Sequence, residues 1–146
     1  MILVLFLCIA LFTSEPLYAQ VGVTQTQPIS FGTVVVNPGG DTLTLTPTGS
    51  ISSSSVSDLQ GGHARGVFRF ESLEDNLVFY SFSTDDTLSG NGETLRLENY
   101  TTNLPNPFII PGSGVQIMNV GAQLIIPSNI KGGGFSGTFM VIIDNQ

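Results

Sequence analysis

The side chains able to do chemistry are few, and each lacks the neighbours its chemistry needs. His63 is the only histidine and sits in the glycine turn Gln60-Gly61-Gly62-His63-Ala64. An imidazole that moves protons or binds metal needs a second group held against it. None stands nearby in sequence, so His63 reads as a surface turn residue. Asp85 and Asp86 follow Thr84 in an oxygen-rich turn of the kind that holds calcium. Their spacing lacks the alternating ligands of a calcium loop, and further carboxylates would have to come from Glu71, Glu74 or Asp75. A solvated acidic turn is the expectation, with Asp85 and Asp86 as a weak calcium pair and no other metal site. The serines at 50 and 52–55 lie in no nucleophile elbow. Gly132-Gly133-Gly134 has neither the lysine nor the following helix of a phosphate loop. Catalysis and cofactors are therefore not expected.

Two binding motifs remain. Asn99-Tyr100-Thr101 matches a glycosylation sequon, which matters only in a host that glycosylates exported proteins. Tyr80, Asn99 and Tyr100 together form a candidate ligand platform, because an aromatic face beside polar groups orients a sugar or a peptide. A tyrosine in a strand serves a core just as readily.

The N-terminus decides the compartment expected. Residues 1–13 read MILVLFLCIALFT, followed by a polar break with Pro16 and a small residue at Ala19. This is the order of a secretory signal peptide over residues 1–19. The apolar run is shorter than the roughly 20 residues that cross a bilayer, which disfavours an uncleaved anchor. Bulky Leu5-Phe6-Leu7 disfavours a lipid anchor at Cys8. The expectation is an exported protein, in the periplasm, at the cell surface or outside the cell, with no stable membrane span after cleavage. Cys8 is the only cysteine, so cleavage leaves no disulfide, and the core must hold the fold by packing. Four basic residues stand against eleven acidic ones, with the basic ones scattered. Nucleic acid, which needs a concentrated positive surface, is not an expected partner.

The rest of the chain reads as strands and turns. Residues 29–36 form a β-branched run closed by Asn37-Pro38-Gly39-Gly40, and residues 41–46 (DTLTLT) alternate strictly. Residues 66–72 and 77–83 alternate in turn and predict a hairpin through residues 73–76. Residues 85–92 read as a turn-rich link, and 94–98 as a short strand. Residues 101–111 read as a proline-rich loop with one short edge element. Two further strands are expected near 115–120 and 123–126. The run 135–143 predicts the longest strand, with Met140 and Ile142 covered on its reverse face. Residues 50–57 read equally as an edge strand or a loop. No helical spacing occurs beyond the leader. The pattern predicts one all-β domain over residues 28–146, an antiparallel two-sheet sandwich of immunoglobulin-like, pilin-like form.

Three blocks carry a family resemblance: residues 28–33 with 40–45 and Gly49; residues 64–70; and residues 120–124 with 135–141. In order and spacing the chain resembles the DUF4402 family of exported bacterial β-sandwich domains, similar to fimbrial subunits of the Mat/Ecp type. The resemblance implies a non-catalytic structural or adhesive surface subunit. Its partners would be further copies of itself, a related subunit or an assembly chaperone. It also implies assembly by strand complementation, in which an open sheet edge accepts a strand. Residues 20–27 are the candidate donor, with Val21, Val23, Gln25 and Gln27 on one face. The alternative is a monomeric secreted or periplasmic binding module for protein or carbohydrate, and an ordinary first strand at residues 20–27.

Overall fold

The computed structural model describes residues 20–55 and 58–145. The expected signal peptide, anchor and Cys8 readings fall outside these residues. The described chain is all-β: β1 (Gly22–Gln27), β2 (Ser30–Phe31), β3 (Val34–Val35), β4 (Asp41–Leu45), β5 (Ile51–Ser53), β6 (Asp58–Leu59), β7 (His63–Ala64), β8 (Gly66–Ser72), β9 (Asn76–Phe82), β10 (Asp86–Gly90), β11 (Glu93–Thr102), β12 (Phe108–Ile110), β13 (Gly114–Ile126) and β14 (Val141–Asn145). All strand pairings are antiparallel, in several sheets, of which the largest is curled into a half-barrel.

β13 organises the molecule. Its first half, Gly114 to Val120, pairs with β8. Its second half pairs with β4 along one edge and β11 along the other. Two separate strands were the expectation here, with Gly121 between them. The strand instead runs through, because Gly121 serves close packing rather than a turn. A Cβ at this position would lie 2.2 Å from the Leu45 carbonyl oxygen.

The two halves of this sheet build two cores. Over β8 and the first half of β13 lies a second sheet, in the order β12-β9-β14. Phe68, Phe70, Val78, Phe108, Ile110, Met118 and Val120 are buried there. Over the other half, Leu43, Leu45, Leu95, Leu97, Ala122, Leu124 and Ile126 are buried with Phe31. Alternation explains both: in each strand every second residue faces inward, so DTLTL buries Leu43 and Leu45 and leaves its threonines half-exposed.

Several elements depart from expectation for local reasons. The run 29–36 divides into β2 and β3, because Gly32 adopts a left-handed φ of 71° and lies against the Gly61 carbonyl. β8 and β9 form no hairpin. Both edges of β8 are taken, by β1 and β13, so the chain crosses at residues 73–75 into the other sheet. Buried Asn76 Nδ2 donates to Ser72 Oγ at 2.6 Å across this crossing. The turn-rich link contains β10, and β11 extends well beyond residues 94–98.

At the C-terminal end only Val141–Asn145 is regular strand. Met140 and Ile142 are 64% and 52% exposed, since nothing described stacks on the outer face of β12-β9-β14. Residues 51–53 pair with β4. Buried Asp41 fixes the loop that follows: its Oδ1 accepts from Ser54 N (3.0 Å), Ser54 Oγ (2.9 Å) and Ser55 N (3.0 Å).

Candidate functional site

The leucine half of the curled sheet is incompletely covered. Its lid consists of two chain segments, residues 28–36 and 130–139, with an apolar groove of about 900 Å³ between them. The floor is Leu43, Leu88, Leu95, Leu97, Leu124 and Ile126. These residues meet because the register sets Leu88 opposite Leu95, Leu97 opposite Leu124, and Leu124 opposite Leu43. Cross-strand neighbours on one face of a sheet then form continuous apolar rows.

The walls are strand-like but poorly paired. The first wall is bonded on its far side: Phe31 lies opposite His63, Val34 opposite Leu59, and Thr33 N donates to Gly61 O at 2.9 Å. The second wall rests on β10 through one pair, in which Ser136 and Ser89 exchange backbone bonds at 2.8 and 3.1 Å. Two glycines allow this approach: a Cβ on Gly90 would lie 2.0 Å from the Gly134 carbonyl oxygen, and one on Gly137 2.0 Å from that of Thr87. Residues alternate sides along an extended chain, so with Ser136 turned to β10 its neighbours face away. Among the described residues no backbone hydrogen bond reaches Phe135, Gly137, Thr138 or Phe139.

An aromatic stack closes one end. Tyr100 lies between Phe82 and Phe139, with centroids at 4.7 and 5.2 Å and rings near parallel. Its hydroxyl donates to Asp86 Oδ2 at 2.7 Å, and Ser83 Oγ donates to both oxygens of the same carboxylate. Burial first, and then the bond and charge of Asp86, push the Tyr100 phenol far above its ordinary value. It holds its proton as a donor.

The other sequence candidates are dispersed. Asp86 is thus an internal acceptor, while Asp85 is exposed with φ 61°. Among the described residues no group of three His, Cys, Asp or Glu gathers around a metal-sized space. The Tyr80 hydroxyl donates to Leu104 O at 2.8 Å and lies 2.6 Å from Thr102 Oγ1. Asn99 is exposed, and its amide donates to Gln123 Oε1 at 2.7 Å. Tyr80 and Tyr100 therefore turn their polar ends inward, and the three do not share an exposed face. His63 is exposed in β7.

The four donor candidates lie in or beside an edge strand of their own domain. Val23 pairs with Phe70, Gln25 with Phe68 and Gln27 with Val67, with the register broken between Gln25 and Gln27. Val21 packs on the aromatic core, and Gln25 reaches the mouth of the groove. Sequence reasoning missed the groove itself. Its signals were Gly32 inside one apolar run and the glycines of residues 132–137 ahead of another.

Residues 21–144 match the family model described as "Domain of unknown function (DUF4402)". The chain belongs to this family. No curated protein and no solved structure matches it.

Proposed function

We propose that this DUF4402 chain is a non-catalytic structural subunit of the cell exterior, fimbria-like or adhesive, whose curled sheet is completed by a strand from another chain. One observation carries the reading: the groove over the leucine floor has a wall whose backbone groups at 135, 137 and 139 turn away from β10 and find no backbone partner among the described residues. A backbone edge beside an apolar trough is what an added strand satisfies, the edge supplying hydrogen bonds and the trough taking alternate side chains. In this reading the two layers form an incomplete immunoglobulin-like sandwich. A small apolar ligand would fill the trough but leave those backbone groups unpaired.

The candidate donor, residues 20–27 of a neighbouring copy, has two apolar anchors at alternate positions, Val21 and Val23, and no charged side chain to desolvate. To serve as donor it must leave its seat on β8. Light scattering on chromatographed native protein, recovered from its export compartment without refolding, tests the reading. A ladder of multimers is expected, and deletion of residues 20–27 should abolish it while leaving a folded monomer. A ladder unchanged by the deletion removes this segment as donor. A monomer at every concentration, with or without its neighbouring subunits, removes the strand-complementation reading.

A further inference from the structure

The edges of the described sheets are not equally protected. The outer edge of β10 is met by Ser136. β12 has three residues and lies among Pro105, Pro107 and Pro111. β5 has three residues and leads into the loop bound by Asp41, and β14 carries Asp144. β1 differs from all of these. It has six residues, almost all exposed, and its outer edge has no neighbour among the described residues. Residues 20–28 contain no charged side chain. Long uncharged edges recruit further strands unless charge, proline or a bulge prevents it. Here such devices stand only at the far end, in the register break beyond Gln25 and in Pro28, and they leave Gly22 to Gln25 regular.

We infer that β1, seated on β8, pairs antiparallel with β1 of a second copy about a twofold axis. A second copy suits this edge for two reasons. The chain has a net charge of −7, so copies repel broadly, and β1 is the long edge at which strand meets strand without charge. An antiparallel twofold also sets each strand against its own reverse, so Val, Thr and Gln meet one another and exposed Val23 gains cover. The pairing joins β13-β8-β1 of each copy into one sheet. It does not rest on the groove. A given β1 cannot do both jobs, so the twofold pair holds β1 away from any groove.

The geometry also separates the two. Twofold edge pairing stops at two copies, whereas strand donation from one copy to the next builds an open chain. The test is light scattering across a concentration series for the native chain and for Thr24→Glu and Thr24→Gln. Thr24 is exposed opposite Arg69, so a glutamate there is compatible with the seat on β8. In the native chain and in Thr24→Gln the smallest associated species is expected to be this dimer, any larger ladder growing only from copies whose β1 has left β8. Association about tenfold weaker or more is expected for Thr24→Glu at low salt, recovering at high salt. A native chain without dimers, or dimers indifferent to Thr24→Glu, overturns the inference. Multimers larger than two that ignore the substitution overturn it as well, while leaving the groove reading standing.

Discussion

Ser136 and Ser89 exchange both backbone hydrogen bonds, and among the described residues this is the one backbone pair joining the C-terminal segment to β10. Its other ties flank this bridge: Asn91 Nδ2 donates to Gly132 O at 2.9 Å and Lys131 N to Glu93 Oε2 at 2.6 Å on one side, and Met140 N donates to Ser83 Oγ at 2.8 Å on the other.

The glycines should therefore be graded by contact. Gly90→Ala and Gly137→Ala would each push a Cβ against a carbonyl oxygen and should cost about 1–3 kcal/mol. Gly132→Ala meets nothing within 4 Å and should stay within about 0.5 kcal/mol. Urea unfolding of the three variants checks this order.

Tyr100 should make the protein alkali-sensitive. Its folded pKa is raised, so this contribution is whole below the unfolded value of about 10. It is lost as pH climbs from there, because the unfolded chain releases a proton that the folded one retains. Denaturation midpoints at pH 9 and pH 11 should differ less in Tyr100→Phe than in the native chain. At neutral pH the same substitution leaves Asp86 with Ser83 as its side-chain donor and should cost about 1 kcal/mol.

Asp41→Ala removes the acceptor of three donors from Ser54 and Ser55. A loss of about 2–3 kcal/mol is expected. Limited proteolysis should then cut near residues 52–58 faster than in the native chain, a comparison made directly by mass spectrometry.

The two faces of the β12-β9-β14 sheet should respond oppositely. Ile110 is fully buried, and Ile110→Ala should cost about 2–5 kcal/mol. Ile142 faces outward, so Ile142→Thr should change stability by no more than about 0.5 kcal/mol. Equal losses from both would mean that the outer face is covered in solution.

Wherever strands alternate strictly, sequence alone placed the inward residues. Leu43, Leu45, Leu95, Leu97, Phe68 and Phe70 stand at alternate positions of such runs and are all buried. Period two reports which face a side chain takes, and burial follows. It does not report which strand lies alongside. The expected hairpin of β8 and β9 failed because partner choice depends on edges already taken by β1 and β13, the latter more than forty residues away in sequence. The groove was equally hidden. Residues 135–139 read as strand by composition, yet they meet β10 only through the single bridge of Ser136 to Ser89. Tyr80 and Tyr100 read as a platform because sequence reveals an aromatic ring but not where its hydroxyl points.

β13 has a consequence for timing. Every strand it joins, β8, β4 and β11, precedes it in the chain, and it begins only at Gly114. A chain threaded through a pore N-terminus first would emerge with those strands complete but with nothing to hold them together. Pairings so distant in sequence close slowly, and both cores wait on the same thirteen residues. Beyond local pairs such as β4 with β5 and β10 with β11, such a chain would stay open until nearly all of it had crossed, and then condense around its last long strand.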